Sequence, residues 1–114
     1  MTLELQRGSI VWVDPNPLRG REQAGTRPAV VIATDDYLHA VPDLAIVVPV
    51  TTRDRGWPHH VSVTGPAVRL RSRSFAMTEQ PRTIARSRIS RIAGVAGTDC
   101  MVQIDRWLRD FTGL

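Results

Sequence analysis

Three segments of this 114-residue chain carry side chains able to hold or polarise a phosphate. The first is Gly20-Arg21-Glu22-Gln23-Ala24-Gly25-Thr26-Arg27-Pro28, a charged, glycine-flanked stretch that runs straight into an apolar one. It sets the Arg27 guanidinium at the mouth of a strand. In the second, Pro49-Val50-Thr51-Thr52, two hydroxyls end an apolar run. A hydroxyl donor there stands on a rigid element, next to Arg27 if the two strands pair. The third, Thr78-Glu79-Gln80-Pro81-Arg82-Thr83, gathers a carboxylate, an amide and a guanidinium around a proline. Such a set can hydrogen-bond base edges and phosphate together. Taken from the residues alone, each segment has a plainer reading as well. Charged loops are solvated, arginines snorkel at strand edges, and threonine favours strand ends.

The remaining reactive side chains offer less. Three histidines and one cysteine, with no His-x-x-x-His spacing, argue against a zinc site. Adjacent residues on a strand point to opposite faces, so His59 and His60 are expected not to serve one site, and all three histidines read as surface or loop residues. Cys100 falls in the first turn of a helix, where a thiol can be acidified, but a structural cysteine fits better. Trp12 and Trp107 read as core or interface residues. Trp57, in an Arg- and His-bearing loop, offers a face on which a base can stack.

These residues need a scaffold, and the apolar pattern describes one. Strands are expected over Gly8–Asp14, Pro28–Ala33, Leu44–Thr52, His60–Val63, Ser74–Thr78 and Ile89–Val95. The run Pro28–Ala33 is apolar throughout, as in a strand buried on both faces. Asp35–His39 reads as one helical turn, and Asp14–Gly25 and Gly56–His59 as loops. At the C-terminal end the period changes. Met101, Ile104, Leu108 and Phe111 recur at spacings of three and four, one face of a helix. Thr98 is the expected cap, Asp99 suits the positive end, and Gly113 lies just beyond. Many short strands and one terminal helix predict a small curled β-barrel or half-barrel with a helix packed on it.

Composition narrows the class. The length suits a single domain over residues 1–114. With 42% hydrophobic and 23% charged residues, the chain is not of disordered type. A lone cysteine excludes an intrachain disulfide and suits a reducing compartment. The longest apolar run, Leu44–Val50, is too short to span a membrane, and a cytoplasmic location is expected. All fifteen basic residues are arginine, which excludes a P-loop lysine and Schiff-base chemistry. The net charge of +4 suits a polyanionic partner.

Four pieces in register resemble the MazF/PemK/Kid toxins of type II toxin–antitoxin systems. They are Arg7-Gly8-Ser9-Ile10-Val11-Trp12; Glu22-Gln23-Ala24-Gly25-Thr26-Arg27-Pro28 with Ala29-Val30-Val31-Ile32; Val47-Val48-Pro49-Val50-Thr51; and Glu79-Gln80-Pro81-Arg82-Thr83-Ile84. Arg88–Val95 and the terminal helix also fit, and the last of the four pieces is most similar to the Kid/PemK branch. The resemblance implies an SH3-like barrel of the CcdB/Kid superfamily, assembled as a homodimer. It implies cofactor-free and metal-independent cleavage of single-stranded RNA, chiefly messenger RNA, and a cognate MazE/Kis-like antitoxin. Arg27 and Thr51 match the family's catalytic arginine and threonine, and Glu79 stands where the Kid branch has a catalytic aspartate. Arg21, Glu22, Gln23, Gln80 and Arg82, with Trp57, are the expected RNA-handling residues. Two departures stand out: Arg21 replaces a Kid-branch histidine, and Met77 a Kid-branch arginine.

Cleavage without metal uses the ribose 2′-hydroxyl as nucleophile. It needs a proton acceptor, a donor for the leaving oxygen and cationic groups for the developing charge. Arg27 suits the last task and Thr51 can donate to a phosphoryl oxygen, while Glu79 or Glu22 can accept the proton. Two rivals share the fold: a non-catalytic toxin of gyrase-poison type, and a binding module for RNA or DNA.

Overall fold

A computed structural model describes residues 4–15 and 25–114. The N-terminal half holds β1 (Ser9–Val13), β2 (Arg27–Val31), α1 (Asp35–Ala40) and β3 (Leu44–Thr51). β4 (His60–Ser62), β5 (Ala67–Val68), β6 (Phe75–Met77), β7 (Arg82–Ala85), β8 (Ile89–Val95) and α2 (Thr98–Thr112) follow. Among the described residues the strands form one eight-stranded sheet in the order β4-β6-β3-β2-β1-β8-β5, with β7 pairing β3 beside β6. Every pairing is antiparallel.

The apolar runs follow from burial on two sides. Side chains alternate across a strand. Ile10, Val30, Val48 and Val50 enter one core, together with Cys100 and Ile104 of α2. Val11, Ala29, Val31, Ala45 and Val47 enter a second, closed by Leu38 of α1. With both faces covered, the central strands have no position for a polar residue, which is why Pro28–Ala33 and Leu44–Val50 read as continuous apolar stretches.

Both helices carry recognisable ends. Thr34 caps α1, its hydroxyl accepting from the Tyr37 N–H. α2 ends at Gly113 in the left-handed conformation, and Asp99 lies in its first turn, as expected. Its N-cap is Gly97 rather than Thr98, which is the first helical residue, and no side chain caps it. Arg7 ties the start of the chain to this helix through two bonds to the Asp105 carboxylate, one of them from Nη1 at 2.9 Å.

Two strands depart from the sequence reading. β5 was not expected at all. Arg82 and Thr83, read as loop, lie in β7, where Leu44–Val47 of β3 pairs with them.

Candidate active site

β2 and β3 pair with Ala29 opposite Pro49 and Val30 opposite Val48. The same register, carried two residues outward, sets Arg27 across from Thr51. Both line a cleft of about 1060 Å³ on one side of the sheet. Its walls include Thr26, Thr52, Ser74 and Met77, with Trp12 of β1 and Arg91 of β8. Arg69, Leu70 and Arg71, from the connection after β5, complete the rim. That connection is held by Arg69 N–H donating to the Ala93 carbonyl at 3.0 Å. Four guanidiniums therefore face one cleft, and among the described residues none that lines it is a carboxylate. Arg91 lies over the Trp12 ring, 4.9 Å from its centroid. Such a wall presents an apolar face and a fixed charge together.

Arg27 also borders a second, smaller depression of about 140 Å³ with Asp14, Arg82 and Arg88. The two hollows share Arg27, Pro28 and Pro49, so cationic side chains line the surface on both sides of Arg27. A chain of phosphates is the ligand that such a track suits.

Glu79 is placed elsewhere and does not line the cleft. It follows β6 on the turn into β7, which the Gln80 N–H closes by donating to the Met77 carbonyl at 3.0 Å. The carboxylate accepts from His60 Nε2 at 3.0 Å, and His59 Nε2 lies 3.6 Å from its other oxygen. Gln80 Nε2 donates to it at 3.3 Å and in turn Gln80 Oε1 accepts from Arg82 at 3.2 Å. Burial pushes the Glu79 carboxyl upward. The bonds from His60, its own backbone and Gln80, with the charge of His60, outweigh that and hold it below its ordinary 4.5.

A carboxylate with a depressed folded-state value stabilises the fold at pH above its ordinary range. That contribution is lost as the pH falls through the folded-state value. Glu79→Gln is therefore expected to flatten the acid limb of the Tm profile from about pH 5 downward. Parent and variant curves that stay parallel over that interval would count against the pairing.

The histidine pair overturns its sequence reading. Strand alternation does not govern His59, which precedes β4, so both rings turn to one carboxylate. His60 is buried, with Nδ1 lacking a partner, rather than lying on the surface. Trp57 stands beside them, its ring stacked 5.4 Å from His59 with the Arg55 guanidinium 5.0 Å from its centroid. Trp107 and Phe111 of α2 close the group against His59. Cys100 is buried, and burial pushes its thiol up, as suits a structural cysteine.

Residues 6–112 match the family model described as PemK-like, MazF-like toxin of type II toxin-antitoxin system. This chain belongs to that family. The endoribonuclease toxin MazF of Escherichia coli K12 is 36% identical over 78 residues, which is 68% of this chain and 66% of that relative. The crystal structure of MazF from Deinococcus radiodurans superposes with a TM-score of 0.76 at 27% identity, covering 96% of the toxin and 97% of that chain. A MazE-MazF crystal structure from the same organism gives 0.80 at 27% identity, covering 96% of each chain. The mainly β half-barrel with its C-terminal helix is thus the MazF fold.

Of the residues singled out in the sequence, the toxin brings Arg27 and Thr51 into one cleft and sets Arg82 in the adjoining hollow. Glu79, Gln80 and Trp57 line neither. Arg21, Glu22 and Gln23 lie outside the described residues. Sequence reasoning missed Trp12, Arg69, Arg71 and Arg91 as cleft residues. Strand register makes the Trp12–Arg91 wall, pairing Trp12 with Arg91 directly.

Proposed function

We propose that this toxin is a metal-independent endoribonuclease that cuts single-stranded RNA, chiefly messenger RNA, and so arrests translation. The observation that carries this reading is the arginine-lined cleft in which Arg27 stands across from Thr51 among three further arginines. Its E. coli relatives bear the name endoribonuclease. A cognate MazE/Kis-like antitoxin is the expected partner, in keeping with the MazE-MazF assembly of the Deinococcus neighbour. The active form is expected to be a homodimer in the cytoplasm. No helix among the described residues is long and apolar enough to cross a membrane.

In this reading an RNA phosphate sits between Arg27 and Thr51. A carboxylate takes the proton from the ribose 2′-hydroxyl, and the 2′-oxygen attacks the adjacent phosphorus. The bond to the 5′-oxygen breaks, and that oxygen leaves with a proton from a general acid. The products are a 2′,3′-cyclic phosphate and a 5′-hydroxyl. Negative charge grows on the non-bridging oxygens, where the Arg27 fork and the Thr51 hydroxyl donate. Arg69, Arg71 and Arg91 hold the flanking phosphates, while Gln80 and Arg82, with Trp57, handle bases and backbone beyond them.

The test is incubation of purified protein with a long single-stranded RNA in EDTA, with ends mapped. Discrete cuts at a short repeated sequence are expected. Arg27→Ala should lower the rate by about 10²–10³-fold with the fold intact, as when one preorganised donor is removed. Intact RNA from the folded, antitoxin-free parent would favour the gyrase-poison or binding-module rivals. In the latter, Arg27→Ala would weaken affinity only.

The resemblance offers two carboxylates as proton acceptor, Glu22 and Glu79. Glu79 is ionised at neutral pH but faces the histidines, so Glu22→Gln and Glu79→Gln are compared side by side. Loss of the acceptor should slow cleavage by about 10²–10⁴-fold. If both variants cut at the parent's rate, neither carboxylate is the base.

A further inference from the structure

The cluster of His59, His60 and Glu79 has the donor set and spacing of a metal site. One donor atom from each residue lies within 4.8 Å of the other two. His60 Nε2 lies 3.0 Å from one Glu79 carboxylate oxygen and His59 Nε2 3.6 Å from the other. A zinc ion in tetrahedral coordination has bonds of about 2.0–2.1 Å, which puts its ligands about 3.3–3.4 Å apart. Both distances lie close to that value, and rotation of the carboxylate and the rings, whose donor atoms already lie within 4.8 Å of one another, is what would bring them onto one centre.

The scaffold holds these donors in place before any ion arrives. His60 pairs with Met77 across β4 and β6, and its side chain is 2% exposed. The buried Thr78 hydroxyl donates to the His59 carbonyl at 2.6 Å, fastening the Glu79 turn to the histidine-bearing segment. His59 and Glu79 keep side-chain exposures of 24% and 30%, which leaves an entry path and a coordination position for water. Trp57, Trp107 and Phe111 wall the site with aromatic surface.

We propose that His59, His60 and Glu79 bind one divalent transition-metal ion of the zinc class, at a site separate from the arginine cleft. Two imidazoles and one carboxylate favour such a borderline ion over calcium or magnesium, which take oxygen ligands. A bound ion would join the β6–β7 turn to the loop before β4 and, through His59, to the last turns of α2.

The experiment is calorimetric titration of the tag-free, chelator-stripped full chain with zinc chloride, without RNA. One ion per chain is expected. His59→Asn and Glu79→Gln, each checked for parental circular dichroism, should bind more than about tenfold more weakly, while His39→Asn should bind as the parent does. No saturable binding by the parent, or binding that persists in both ligand variants, overturns the proposal. The titration does not depend on cleavage, so its failure leaves the ribonuclease reading untouched, and the reverse also holds.

Discussion

An RNA carrying a single 2′-deoxy nucleotide on the 5′ side of the scissile phosphate will stay uncut at that position. The same molecule will still be cut at every other site. The expectation follows from the absence of any other nucleophile in the proposed step. Among the described residues the cleft offers arginines, threonine and serine hydroxyls and apolar walls. None of them forms a covalent intermediate in this reading, and water is not activated. The reacting oxygen belongs to the substrate, and removing it stops the reaction rather than slowing it. Binding should survive, because phosphate contacts dominate affinity and the deoxy nucleotide keeps its phosphates. The modified RNA is therefore expected to act as an inhibitor in competition with the unmodified one. Cleavage at the parent's rate at the modified position would rule out the 2′-hydroxyl mechanism and point to hydrolysis.

Gly94→Ala is expected to cost most of the stability of the fold. Gly94 has φ +99° near the end of β8. A Cβ placed there would lie 1.8 Å from the Ala67 carbonyl oxygen. The obstacle is main chain and cannot rotate away. β5 is pinned to β8 by Ala67 opposite Val95 and Val68 opposite Gly94. Making room would therefore break that pairing, with left-handed strain added to it. A loss of about 4 kcal/mol or more is expected, against a total of about 5–15 kcal/mol for a domain. Urea unfolding of Gly56→Ala provides the control. Gly56 also has positive φ, at +71°, but open space around it, so only the strain of about 1 kcal/mol remains. Equal losses in the two variants would mean that the close approach of β5 and β8 is not what constrains Gly94. A folded remnant of Gly94→Ala should also cut poorly, since Arg69 and Arg71 follow directly from β5.

The elements set by local pattern were legible in the chain. β3, β8 and α2 lie where alternation, apolar runs and helical spacing put them, because their own residues meet the core. β7 was not legible. Arg82 and Thr83 are exposed, and only Ile84 is deeply buried. The strand exists because Leu44–Val47 offers a free edge some forty residues earlier. The cleft behaves the same way. Arg27 and Thr51 could be anticipated because two apolar strands end at them. Arg69, Arg71 and Arg91 look like any surface arginine until register carries them to the same hollow. The histidine pair shows where a sound rule met its boundary. Alternation holds within a strand, and β4 begins at His60, one residue after His59.

The wall formed by Trp12 and Arg91 has a consequence for how the molecule is made. β1 leaves the ribosome well before β8, yet its partners along one edge come from β8. About eighty residues separate the two sides of that wall, and synthesis at about 5–20 residues per second leaves roughly 4–16 s between them. Throughout that interval one side of the cleft has no chain to build it. In the ribonuclease reading, a nascent toxin thus has no complete cleft with which to hold RNA until β8 has emerged.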